Sequence, residues 1–263
     1  MRNTFFIIEL FVWFNISFLA VDTYYAHSAN SFRLSYEWIP VYFSLLIMLC
    51  HGFILFFMKV NNEEALRKDV WGRIFGALCI VLAVMGIYFH LDSHFFTERT
   101  INNLIYSAPF IAPLAYGGLG FLYLINRIKL SDTKRIRLIL LVATLGIVGN
   151  FLLSLFDHAQ NGFYYATEWI PVIVSAWGVA VLLPLCFGLV NKLQIQIAYM
   201  TMLLQIAVGF LGFFYHFMAN INGVSSLIEN FIFGAPVFAP LLFVDLALLA
   251  LIPLYHLKRD LQV

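Results

Sequence analysis

Apolar runs long enough to cross a bilayer recur along the chain, separated by short polar breaks. They lie near 5–21, 40–59, 71–90, 104–126, 137–156, 169–190, 196–216 and 233–256. Crossing about 30 Å of hydrocarbon takes roughly 20 residues at a rise of 1.5 Å each. In lipid the backbone polar groups must be satisfied internally, which favours helices for runs of this length. The pattern predicts an all-α integral membrane protein with eight transmembrane helices. Arg2 before the first apolar run resembles the start of a signal peptide, but no small-x-small cleavage pattern follows Ala20, so this run is read as a helix.

The polar breaks repeat. HSANSFRLSYEWIPV at 27–41 and HAQNGFYYATEWIPV at 158–172 align without a gap. The identical pairs are His27/His158, Asn30/Asn161, Phe32/Phe163, Glu37/Glu168, Trp38/Trp169, Ile39/Ile170, Pro40/Pro171 and Val41/Val172. Gly86 to His90 is echoed by Gly212 to His216, and Ala108-Pro109-x-x-Ala112-Pro113 by Ala235-Pro236-x-x-Ala239-Pro240. This order predicts two four-helix repeats, residues 1–130 and 131–263, joined by the charged stretch 127–137. An even number of crossings per repeat inserts both the same way up, as a parallel repeat about the membrane normal. The second proline of each pair is expected to lie deeper than the first and to kink or wedge its helix. Gly72-x-x-x-Gly76 is a lone small-residue match for close helix packing.

Charge sets the orientation. Of 15 lysines and arginines, only Arg33 and Arg99 fall on the side that carries the repeated histidines. Positive residues favour the cytoplasmic side, so both termini are expected to be cytoplasmic, in a bacterial inner (plasma) membrane. Hydrophobic residues make up 62% and charged ones 11%, against about 25% charged in soluble domains. The net charge of +1, with no basic patch apart from the membrane flanks, excludes a nucleic-acid partner. The lipid bilayer is the expected partner, and the lack of a soluble domain permits a larger membrane complex or a homo-oligomer. Cys50, Cys79 and Cys186 fall within apolar runs without metal-ligand spacing and are expected to pack.

On this topology the outer side collects His27, Glu37, His90, His158, Glu168 and His216. Imidazole and carboxylate suit iron, copper or zinc, and recurrence in two diverged halves predicts that these six are metal or haem ligands. Asp157 and His94, which break the symmetry, are expected as added ligands or as orienters of the ligands. Glu229, near the place of Asn102, also differs between the halves. A blander interpretation stands beside this one. Glutamate is favoured at a helix N-terminus by about 0.3–1 kcal/mol, tryptophan fits the interfacial belt, and proline fits a first turn. Glu9, His51 and Asp245 form a second group, within the bilayer, where an ionisable side chain marks a functional site by default. His51 and Asp245 lie at similar depth, so Asp245 is expected either to pair with His51 or to be a neutral acid hydrogen-bonded between helices.

The function expected is a membrane oxidoreductase that uses a transition metal (Fe, Cu or Zn) or haem at the outer face. The plan resembles that of haem A synthases, which have two four-helix halves with outer-face histidines. Their histidines occupy different helices, so the resemblance implies architecture alone. Two other functions compete: an ion-coupled transporter using Glu9, His51 and Asp245, and a structural subunit of a membrane complex.

Overall fold

A computed structural model describes residues 2–29, 31–57, 63–92, 105 and 109–261. Every regular element among them is helical: α1 Arg2–Ser28, α2 Ile39–Phe57, α3 Glu63–Lys68, α4 Val70–Asp92, α5 Leu114–Arg127, α6 Asp132–Gln160, α7 Trp169–Cys186, α8 Lys192–Ile221, α9 Leu227–Phe233 and α10 Leu241–Asp260. Among the described residues, seven of these helices, some with their leading turn, are long and apolar enough to cross a membrane. The eighth expected crossing corresponds to α5, which is described as only 14 residues. His94 lies outside the described residues.

Large apolar side chains face outward, as at Leu49 (66% exposed), Phe57 (73%) and Met200 (68%), while Ser44, Thr201 and Gln205 are buried between helices. Water would penalise this arrangement; a bilayer rewards it, because outward apolar surface stays in hydrocarbon and polar groups bond across helices. The Ser44 and Tyr116 hydroxyls are 2.7 Å apart, the Trp13 indole N–H donates to the Met48 carbonyl, and the Trp177 indole donates to Thr201 Oγ1. The fold is that of a helical membrane protein.

The two halves share their neighbours. In the first, α1 packs on α2 and α5, and α4 on α5; in the second, α6 packs on α7 and α10, and α8 on α10. Ring contacts fix which ends meet. Tyr25, late in α1, lies 6.2 Å from Phe238 just before α10, and Phe156, late in α6, lies 6.2 Å from Phe110 just before α5. At the opposite end Thr4 hydrogen-bonds His256 at 2.9 Å, and the Asn126 amide donates to the Phe5 carbonyl.

The Ala-Pro-x-x-Ala-Pro segments correct one expectation. Pro113 and Pro240 cap α5 and α10 rather than lying within them. The residues between each pair of prolines form turns, with the Ala112 N–H donating to the Pro109 carbonyl and the Ala239 N–H to the Pro236 carbonyl. Each second proline then packs where its neighbour has no side chain. A Cβ added to Gly86 would come 2.7 Å from Pro113, and one added to Gly212 would come 2.9 Å from Pro240.

Candidate metal centre

At the end of the molecule where α1, α4, α6 and α8 terminate, the six repeated polar residues fall into two sets, one per half. His27 closes α1 and His90 closes α4; their rings are 6.2 Å apart at 72°. His158 closes α6 and His216 lies near the end of α8, with rings 6.4 Å apart at 77°. Glu37 and Glu168 sit in single 3-10 turns, Ser35–Trp38 and Ala166–Glu168, that lead into α2 and α7. Glu168 Oε2 lies 3.8 Å from His158 Nδ1. The Glu37 carboxylate is buried and acts electrostatically on both His27 and His90.

The loops that carry His27 and His158 are built alike. Phe32 donates its N–H back to the His27 carbonyl, and Phe163 to that of His158. Both phenylalanines take positive φ, and each ring then stacks on the tryptophan of the Glu-Trp-Ile-Pro unit, at 3.8 Å for Phe32/Trp38 and 3.9 Å for Phe163/Trp169. The repeated Phe and Trp thus hold the loop that delivers each glutamate beside its histidine. Sequence alone had suggested an interfacial belt for the tryptophans.

A second regularity concerns the ring nitrogens. His90 Nδ1 is 3.0 Å from the Pro109 carbonyl oxygen, and His216 Nδ1 is 2.8 Å from that of Pro236. A carbonyl oxygen only accepts, so Nδ1–H must be the donor and the neutral ring carries its lone pair on Nε2. Histidines that bind metals commonly donate their other N–H to a carbonyl in this way. The first proline of each Ala-Pro-x-x-Ala-Pro unit therefore orients a histidine through its carbonyl, a role with no signature in the side-chain pattern.

The donor set fits an ion in part. With imidazole nitrogens about 2.0–2.1 Å from the metal, two ligating rings have centroids no more than roughly 6.4 Å apart. Both pairs lie at that limit, which a near-linear arrangement reaches, whereas a tetrahedral site would bring the centroids to roughly 5.2 Å. Among the described residues, however, no three His, Cys, Asp or Glu side chains gather closely enough to hold an ion. What the structure brings together is two histidines and a neighbouring glutamate in each half.

Other expected residues lie elsewhere. Asp157 lines a cleft with Ile105, Pro109, Phe110 and Ile111 of the first half, on a different face of α6 from the His158–Glu168 pair. Successive residues on a helix point about 100° apart, so adjacency in sequence does not make Asp157 a partner of His158. Asn220, in the place expected for a counterpart of His94, binds the Ala235 backbone through both amide atoms. Glu229 caps α9 with Ser226.

The intramembrane group also divides. Asp245 accepts a hydrogen bond from the Asn15 amide at 2.9 Å, joining α10 to α1, and is not the partner of His51. His51 instead lies 3.5 Å from Glu9, whose carboxylate is gripped by the Arg127 guanidinium at 2.8 and 3.0 Å. Arg127 had been read from the sequence as a loop charge; the structure buries it completely and also pairs it with Asp69. An arginine in the last turn of an apolar helix, preceded by Asn126, was the available signal.

Compared with known proteins, the chain matches no family model, no curated protein and no solved structure.

Proposed function

We propose that the protein is an eight-crossing membrane oxidoreductase of two parallel four-helix repeats. Its termini are cytoplasmic, and each repeat binds iron, copper or zinc, or a haem iron, at its outer end. His27 and His90 hold the group in one repeat, and His158 and His216 in the other. An iron or copper centre supplies one-electron chemistry there. The chain's own residues position it: the carbonyls of Pro109 and Pro236 fix the tautomers of His90 and His216. Glu37 and Glu168 stand beside the rings as carboxylates able to ligate, balance charge or accept a proton. The observation that carries this reading is that one histidine in each half has the same ring nitrogen tied to the same proline carbonyl, although most apolar positions around it differ.

Metal analysis and an absorption spectrum of the purified protein test it. Bound metal or a haem band is expected. His90→Ala and His216→Ala should each remove about half of it if the two sites are equal and independent. A protein with neither metal nor haem, expressed with both supplied, overturns the reading and leaves a permease or a structural subunit. The permease has one observation in its favour, the half-buried Asn15–Asp245 hydrogen bond between α1 and α10. Under that reading Asp245→Asn abolishes ion flux in proteoliposomes without altering metal content.

A further inference from the structure

Toward the end of the molecule away from the histidine pairs, the first half contains a buried ionic cluster with no counterpart among the described residues of the second half. Arg127 on α5 donates to both oxygens of Glu9 on α1, and through Nε and Nη2 to Asp69 just before α4. Asn126 adds a hydrogen bond to Glu9 at 2.9 Å. His51 on α2 completes it, and the Tyr123 ring meets the His51 ring edge-on with centroids 4.8 Å apart. Leu140, Leu182 and Leu254 stand where the second half would carry Glu9, His51 and Arg127, and all three are fully buried. Hydrocarbon suffices there to hold four helices together, so packing alone does not require the charges.

Two features point to a ligand. First, the charges do not cancel. Glu9 and Asp69 contribute two negative charges, Arg127 one positive, and Tyr123 none, so one negative charge is left over while His51 is neutral. Second, the His51 lone pair has nothing to bind. Its Nε2 lies 3.2 Å from the Glu9 carbonyl oxygen, which can only accept, so Nε2 carries the hydrogen and Nδ1 the lone pair. Nδ1 is buried without a hydrogen-bond partner, as are the Tyr123 hydroxyl and Asn126 Oδ1. Buried polar atoms are nearly always paired; a proton on Nδ1 turns its lone pair into a donor, and the Asn126 and Tyr123 oxygens are the unpaired acceptors of the same cluster.

We propose that this cluster is a proton-binding site, in which His51 Nδ1 takes one proton from the nearer aqueous phase. One N–H bond forms at Nδ1 as one O–H bond of a hydronium ion breaks and leaves water. The cluster passes from one net negative charge to none, and the attraction of Glu9 and Asp69 opposes the cost of burying a charged ring. Arg127 holds the two carboxylates that attract the proton. Asp69 is the one member of the ionic triad that reaches solvent, its side chain 11% exposed against 0% and 1% for Arg127 and Glu9, and so marks the entry side. The site does not depend on metal at the other end.

Nitrogen NMR of histidine-labelled protein in lipid nanodiscs tests this, with His51→Gln assigning the resonance. The His51 Nδ1 signal is expected to pass from the unprotonated to the protonated position as pH is lowered over the range in which the protein stays folded. Asp69→Asn keeps the cap that Asp69 Oδ1 places on the Gly72 N–H but removes the surplus charge. It should lower the proton affinity of His51 at least tenfold, and Glu9→Gln should do the same. A ring that keeps one form throughout, or a midpoint unchanged in Asp69→Asn, overturns the proposal. If Glu9→Gln does not fold, Asp69→Asn decides alone.

Discussion

Ser31 and Gly162 occupy the same place in the two histidine loops, and both adopt positive φ, 55° and 65°. Glycine takes this conformation freely, while a residue with a Cβ pays about 1 kcal/mol or more. Ser31→Gly should therefore stabilise the protein by up to about 1 kcal/mol, offset partly by the greater freedom of glycine in the unfolded chain; thermal unfolding in detergent measures the sign. A larger effect is expected at Arg127. Arg127→Met leaves Glu9 and Asp69 side by side without their cation, and breaking a buried ion pair this way costs roughly 3–5 kcal/mol. Adding Glu9→Gln to that variant should recover part of the loss. No recovery would mean that the arginine acts through packing rather than charge.

Among the elements, α4 and α5 approach each other closely. Gly76 and Gly120 face each other, so that a Cβ built on Gly120 would lie 2.5 Å from the Gly76 carbonyl oxygen. The Gly72-x-x-x-Gly76 match thus has two uses: Gly76 admits the α5 backbone, while Gly72 leaves room for the Arg127 guanidinium. Gly120→Leu should force the helices apart at a cost of about 1–3 kcal/mol, as overpacking does in other cores. Resistance to unfolding in detergent would report the loss. The same replacement at Gly118, where the nearest atom to a built Cβ is 3.8 Å away, should be milder. Equal effects at both positions would remove close approach as the explanation.

Over the whole molecule, contacts at both ends decide which helix termini share a face. The pairs His27/His90 and His158/His216, with Tyr25/Phe238 and Phe156/Phe110, all lie at one end. The proposed orientation puts that end outside. Single cysteines at Gly162 and Ser225 should then react with a membrane-impermeant thiol reagent in intact cells, and one at Ser131 only after lysis. Reaction at Ser131 in intact cells would invert the molecule and place the histidine pairs in the cytoplasm.

The sequence by itself determined the class and most of the helices, because twenty-residue apolar runs have few stable forms in lipid. It also picked out the six recurring His and Glu residues, since repetition in two halves makes polar positions stand out without any knowledge of contacts. Three things were settled only by tertiary structure. The partner of His51 is Glu9 and not Asp245, because depth in the membrane says nothing about which faces of two helices meet. Arg127 is a buried partner and not a loop charge, since a long side chain at a helix end can turn inward once an acid on another helix receives it. The orientation of His90 and His216 depends on backbone carbonyls, and a carbonyl belongs to every residue. Only the turn that brings the Pro109 and Pro236 carbonyls within 3.0 Å of a ring nitrogen makes them specific.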